Sequence, residues 1–263
     1  MKYKLIILLF NVFMLFSFLT LFFMPIIIFE ASFVAEFWRN NWFLPIVFFI
    51  TILIVNFFFI FNWSIINYTK TGNWDGVVSV LENRIYEKRI ITYSNTRLLV
   101  YAYFLLGKED KIKSLEKYLK DRKKTIYNRT FLMFSCANLI SDSTDDLIAY
   151  FDEAVNNEAL KGKEWIFINY AFVLISKREF DKALAVLEKM ETVKNNPVLE
   201  LTRLYFMHIA SRIRAQKDIE LLKEDFIKRI SIEEFEKQFN IEKGDIHILF
   251  LSKIINQAKE WAY

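Results

Sequence analysis

The chain has 263 residues, of which 54% are hydrophobic and 25% are charged, and its net charge is +4 at pH 7. This small positive excess gives no support to nucleic-acid binding, which usually requires a strongly basic surface. A single cysteine excludes an internal disulfide. Five glycines and three prolines are few for this length, which favours long helices joined by short turns.

Two apolar segments, residues 5–29 and 42–66, open the chain, and neither contains a charged side chain. Each has 25 residues, whereas about 20 residues of helix cross a hydrocarbon core of about 30 Å. We therefore predict a transmembrane helical hairpin over residues 1–66. A cleaved signal peptide is the alternative for the first segment, but its apolar run exceeds the roughly 7–15 residues typical of such peptides.

Basic residues flank the hairpin on one side. Lys2 and Lys4 precede the first segment, Lys70 and further basic residues follow the second, and the loop between them carries Arg39 beside two glutamates. Because short cytoplasmic flanks are enriched in Lys and Arg, we expect both termini to be cytoplasmic. The layout is typical of an integral protein of a bacterial inner membrane.

Polar side chains inside the two segments could line a transport pathway or could form hydrogen bonds between the two helices. Intramembrane pathways usually contain ionisable groups, and none is present here. We therefore expect hydrogen bonds between two antiparallel helices, each contributing about 0.6 kcal/mol. The polar residues are Asn11, Ser17, Thr20, Thr51, Asn56 and Asn62.

The remainder of the chain repeats with a period near 35 residues. Four aspartates, Asp75, Asp110, Asp145 and Asp181, follow one another at intervals of 35, 35 and 36 residues. Each begins an amphipathic segment, where an acidic side chain complements the helix dipole, and a more apolar segment precedes each one. A helix, a tight turn and a second helix at this interval indicate a helical-hairpin solenoid.

The clearest repeat resembles a tetratricopeptide repeat. It contains Phe167, Ala171, the run Phe180-Asp181-Lys182-Ala183-Leu184 and Leu187. Other units carry Val100 and Ile112, or Ser135 and Leu147, in place of the small pair Ala171 and Ala183. The resemblance covers residues 58–194, with a degenerate fifth pair over residues 197–230.

The fold expected from these observations is all-α. It comprises the hairpin over residues 1–66, a tetratricopeptide-like α-solenoid of four to five helix pairs over residues 67–230, and C-terminal capping helices over residues 231–263. Ser231 with an acid three residues later is typical of a helix N-terminus. The following segment has an apolar stripe, as a terminal solenoid element requires.

Signals for catalysis or cofactor binding are weak. The two histidines, His208 and His247, lie far apart in sequence, Cys136 has no neighbouring cysteine, and no glycine-rich phosphate loop exists. The aspartates within residues 142–146 lack the other EF-hand ligands and are interpreted as a capping turn with Ser143 as the N-cap. We predict no metal, no cofactor and no enzymatic activity; a membrane enzyme using His208, His247 and Asp145 is a rival hypothesis.

Two surfaces are candidates for binding. The resemblance implies that the first helix of each pair lines a concave peptide groove, although the same residues are equally suited to packing between repeats. A basic stretch that ends in Arg122, Lys123 and Lys124 is a candidate for anionic lipid or an ordinary solvated face. The candidate groove residues are Arg97, Tyr101, Phe104, Arg129, Trp165 and Phe172.

The combined features predict a membrane-anchored scaffold. It would recruit or assemble a protein or peptide partner at the cytoplasmic face of the membrane, because a prearranged groove lowers the ordering cost of binding. The alternative is a structural subunit of a multiprotein membrane or envelope complex. Neither the partner nor the pathway follows from the residues.

Overall fold

The computed structural model describes residues 2–28, 31–141, 144–190, 196–211 and 216–263. These residues form fourteen α-helices, and no strand occurs among them. The all-α prediction is confirmed. The chain divides into two compact units, Met1–Val77 and Val78–Tyr263. The predicted last residue of the first apolar segment, residue 29, and the predicted cap at Asp142 and Ser143 lie outside the described residues.

The N-terminal unit contains a helical hairpin. Helix α1 (Lys2–Ile28) packs against α3 (Phe43–Thr71), and the short α2 (Ala31–Asn40) lies between them in the chain. Asn11 contacts Asn56 while Phe18 contacts Phe48, so α1 and α3 run antiparallel. Helix α3 is longer than the second apolar segment and ends at Gly72, whose positive φ of 68° permits the left-handed turn.

Polar residues contribute to the hairpin in two ways. Asn11 and Asn56 donate hydrogen bonds to each other's side-chain oxygens over 3.1 and 2.8 Å, as expected for an interhelical pair. Thr20 and Thr51 instead donate to backbone carbonyls four residues earlier in their own helices. The interhelical prediction is therefore confirmed for the two asparagines, and the hydroxyls of these two threonines bond within their helices.

Large apolar side chains on α1 and α3 face outward. Phe16 is 68% exposed, Phe57 is 68% exposed and Ile60 is 75% exposed. Both helices are long and apolar enough to cross a membrane. The hairpin therefore presents an apolar exterior that would be unfavourable in water.

Consecutive short helices follow the hairpin along the chain, and the boundary between the two units lies within the first of them. Helix α4 continues as a π-helical turn, Asn83–Glu87. The helices of this part of the chain are α4 (Trp74–Glu82), α5 (Tyr93–Leu105), α6 (Glu109–Arg122), α7 (Lys124–Ser141), α8 (Thr144–Val155), α9 (Lys163–Ser176), α10 (Phe180–Glu188), α11 (Pro197–Ala210), α12 (Gln216–Arg229), α13 (Ile232–Glu242) and α14 (Ile246–Ala262).

Helix boundaries follow from the sequence period. Asp75, Asp110, Asp145 and Asp181 are each the second residue of a helix, namely α4, α6, α8 and α10. There they complement exposed backbone N–H groups of the first turn. The first helices of successive pairs also contact one another, because α5 packs on α7, α7 on α9 and α9 on α11. The tetratricopeptide-like interpretation of this arrangement stays a prediction.

The predicted packing positions lie in the interior. Val100, Ile112, Ser135, Ala171 and Ala183 are fully buried. The buried Ser135 hydroxyl donates to the carbonyl of Leu132 over 2.8 Å and accepts from Asn169 over 3.2 Å. Serine therefore stands where the repeat pattern has a small apolar residue, and its buried hydroxyl keeps its hydrogen-bond partners.

Helices α13 and α14 occupy the region predicted to cap the solenoid, and that role stays a prediction. Ser231 accepts a hydrogen bond from the backbone N–H of Glu234 over 3.2 Å, so α13 begins as predicted. Helix α14, however, packs against α7 and α11, which are first helices of their pairs. An amphipathic stripe shows that a helix has a dry face, but it does not identify the surface against which that face packs.

Candidate interaction surfaces

Helix α14 crosses the row of first helices in chain order. Its 17 residues give a length of about 25 Å, close to three interhelical spacings of about 8–10 Å. Its contacts begin on α5, continue on α9 and end on α11. In this order they are Asp245 with Arg97 at 2.8 Å, His247 with Trp165 at 5.1 Å, Phe250 with Phe172 at 6.2 Å and Trp261 with Tyr205 at 5.8 Å, the last three between ring centroids.

One face of α14 is dry. Ile248, Leu251, Ile255 and Ala258 are fully buried and follow one another at intervals of three or four residues, the spacing of a single helix face. Leu249, on the same helix, is 48% exposed. The face formed by α5, α7, α9 and α11 is thus covered by an amphipathic helix of the same chain, and we call this face the first-helix face.

Helix α14 contacts three of the six predicted groove residues. Arg97 is paired with Asp245, and Phe172 packs against both Phe206 and Phe250. Trp165 is only 7% exposed. In this arrangement the three side chains help to hold α14, which agrees with the packing interpretation that the sequence left open.

The other three predicted groove residues lie on the same helices and are more accessible. The Arg129 guanidinium lies 4.4 Å from the ring centroid of Tyr93 and is exposed. Tyr101 and Phe104 are half-buried on α5. Tyr101 also lines a cleft of about 330 Å³ together with Arg97 and Ile246. The first-helix face is therefore partly open beside the N-terminus of α14.

Burial controls the protonation of His247. The pKa of His247 is lowered to about 4, chiefly because burial desolvates the imidazole; Asp245 opposes this shift and the neighbouring Arg97 adds to it. A neutral imidazole at pH 7 packs on the Trp165 ring without the cost of desolvating a charge. Protonation of this imidazole would place a buried positive charge beside the Trp165 ring.

A basic cleft lies where α6 ends. The predicted lipid-binding residues Arg122 and Lys123 line a cavity of about 400 Å³, and the third, Lys124, is exposed on the first turn of α7. Arg89 also lines the cavity, a residue that the sequence analysis did not assign to this surface. The remaining lining residues are Tyr86, Ile91 and Tyr118.

A further cleft, of about 320 Å³, lies between α6, α7 and α8. The Glu116 carboxylate accepts hydrogen bonds from Asn138 over 3.1 Å and from the Tyr150 hydroxyl over 2.7 Å. Burial, followed by the charge of Glu116, raises the pKa of Tyr150 well above its usual value. The phenol therefore stays a hydrogen-bond donor, which satisfies the carboxylate. No local sequence pattern indicates this cluster, because these partners lie 22 and 34 residues from Glu116.

The residues named in the enzyme hypothesis lie in separate surroundings. His208 packs on Trp261 at 4.9 Å between ring centroids, while Asp145 is exposed and pairs with Lys177. Cys136 is fully buried, and burial raises the pKa of its thiol to about 12. Among the described side chains, no three of His, Cys, Asp or Glu are grouped as metal ligands.

Comparison with known proteins gives one match. A family model described as "Uncharacterised Treponema protein" matches residues 111–263, more than half of the chain. The matched region begins within α6 and includes α14. No curated protein and no solved structure matches the chain.

Proposed function

The chain belongs to the family of uncharacterised Treponema proteins, and we propose that it is a membrane-anchored scaffold. Its hairpin would hold tetratricopeptide-like helix pairs at the cytoplasmic face of a bacterial inner membrane, where they recruit or assemble partner proteins. The observation that carries the proposal is α14 on the first-helix face, because this face already binds an amphipathic helix.

The anchor is supported by the exterior of α1 and α3. Exposed side chains such as Phe16, Phe57 and Ile60 are stabilised by a hydrocarbon core and not by water. Orientation rests on the basic residues that follow the hairpin, among them Lys70, Arg84 and Lys88. Protease added to intact spheroplasts should spare the chain beyond Thr71, and digestion there would contradict the cytoplasmic orientation.

Recruitment through the first-helix face would use helix-in-groove recognition. In this mode, an amphipathic helix inserts apolar residues at intervals of three and four into a groove, as Ile248, Leu251 and Ile255 do. A partner helix of the same pattern would replace α14. Because α14 occupies the face, the apparent affinity for the partner is the intrinsic affinity multiplied by the fraction of molecules in which α14 is undocked.

The structural-subunit alternative is favoured by the burial of α14. If α14 never leaves, partners contact only the outer surfaces, and Trp165 stays enclosed by His247. A subunit of this kind should purify with stoichiometric partners after mild detergent extraction. A recruiter should purify with substoichiometric amounts.

Photo-crosslinking separates these two functions. A photoreactive residue would replace Trp165 in the full chain, and cells would be irradiated before mass spectrometry. Recruitment by exchange predicts two products at this position, one with α14 and one with a single recurring partner. The control is the same probe at Leu249, on the exposed side of α14. Capture of α14 alone from position 165 would refute recruitment through this face.

A further inference from the structure

We propose that the basic cleft formed by Arg89, Arg122 and Lys123 is a binding site for a phosphate group. The ligand class is a phosphate ester or free phosphate, and a phospholipid headgroup and a soluble phosphate are its two sources. The headgroup source rests on the membrane anchor of the proposed function. The site itself depends on neither the anchor nor partner recruitment.

Charge is the first argument. Three cationic side chains from two separate chain segments, the end of the π-helical turn and the end of α6, line one cavity. No carboxylate is among the six lining residues, although Glu87 and Asp121 are close in sequence. Converging arginine and lysine side chains are typical of phosphate recognition, since guanidinium groups match phosphate oxygens in a bidentate geometry.

The backbone conformation of Arg89 is shared with Arg178. Arg89 has a φ of 54°, in the left-handed region that residues with a Cβ rarely adopt. It ends the helix by the usual capping pattern, in which the N–H of Ile90 bonds to the carbonyl of Arg84 over 2.8 Å. Glycine is the common residue at such positions, and Gly72 and Gly107 have positive φ at the ends of α3 and α5. The turn itself does not require an arginine, and Arg178 has a similar φ without lining the cleft, so the case for Arg89 rests on its position in the cleft wall.

The uncharged residues that line the cleft limit which group can accompany the phosphate in the ligand. The rings of Tyr86 and Tyr118 meet edge to face with 4.9 Å between centroids, and Ile91 adds an apolar surface. The cavity of about 400 Å³ lies within the range of small-molecule sites, about 300–1,000 Å³. It can therefore hold a phosphate together with a glycerol-sized or sugar-sized group.

Arginine footprinting of the full chain tests the site and separates the two sources. In one arm, the protein in phosphatidylcholine nanodiscs is titrated with inorganic phosphate. In the other, phosphatidylglycerol replaces a third of the lipid and phosphate is absent. Modification of Arg89 and Arg122 by phenylglyoxal is measured by mass spectrometry, with the exposed Arg129, which does not line the cleft, as the internal reference. Protection in the first arm identifies a soluble phosphate, and protection in the second arm alone identifies a headgroup.

A matched pair of variants tests the residue. Arg89→Gly removes the charge but keeps the left-handed turn, so the fold is retained. Arg178→Gly makes the same change at the end of α9, where Arg178 has a φ of 64° and does not line the cleft. We expect Arg89→Gly to weaken the protection of Arg122 about tenfold, the loss typical of one charge-assisted contact, and Arg178→Gly to leave it unchanged. Equal protection of Arg122 in both variants, or no protection in either arm, would overturn the proposal. Loss of the cytoplasmic orientation or of partner capture would not affect it.

Discussion

Truncation of Leu251 measures how strongly α14 is held on the first-helix face. Leu251 is fully buried, whereas Leu249, two residues earlier on the same helix, is 48% exposed. Replacing a buried leucine by alanine removes transfer free energy and leaves a cavity, which together cost about 2–5 kcal/mol. Leu249→Ala removes the same atoms from a partly solvated position and should cost about 0.5 kcal/mol.

The assay is thermal unfolding of the full chain in a neutral detergent, followed by near-ultraviolet circular dichroism. For a unit of 150–250 residues, 1 kcal/mol corresponds to about 2–4 °C in Tm, so Leu251→Ala should lower Tm by about 4–20 °C. Leu249→Ala should lower it by about 2 °C or less. Equal shifts for the two variants, or none for Leu251→Ala, would refute the packing of α14 described above.

Three further predictions follow from individual side chains. Asn56→Ala should weaken association of the hairpin helices by about 0.6 kcal/mol, measured by a double-mutant cycle with Asn11→Ala; a coupling energy of zero would contradict the paired amides. Because burial lowers the pKa of His247 from 6.5 to about 4, the unfolded chain binds more protons between these values. Stability should therefore fall as pH decreases from 6.5 to 4, by on the order of 1–3 kcal/mol, and then level off; His247→Gln should abolish this component, and an unchanged pH profile would contradict it. Cys136 should react with maleimide only after denaturation, since the thiol is fully buried with its pKa raised to about 12; rapid labelling of the native protein would contradict its burial.

The sequence predicted much of the local structure because local structure depends on nearby residues. The two apolar segments predicted α1 and α3, and the repeating aspartates predicted the starts of α4, α6, α8 and α10. These signals are hydrophobicity, helix period and helix-terminal charge, each of which acts within one or two turns. The cap of α13 at Ser231 was predictable for the same reason.

The candidate sites were predictable only in part. Arg97, Trp165 and Phe172 lie on α5 and α9, and their contacts with Asp245, His247 and Phe250 join residues 78 to 148 positions apart. Arg89 was missed for the same reason, since it reaches the basic cleft only where two distant helix ends meet. No local sequence pattern indicates that these two helix ends lie next to each other.

The sequence by itself determined an all-α chain with two apolar helices and a period near 35 residues. Only the tertiary structure decided that α14 lies across α5, α7, α9 and α11, and that Arg89 joins Arg122 and Lys123. The physical reason is that an amphipathic stripe fixes which side of a helix must be buried. The partner surface is chosen by the fit of side chains that are distant in the chain.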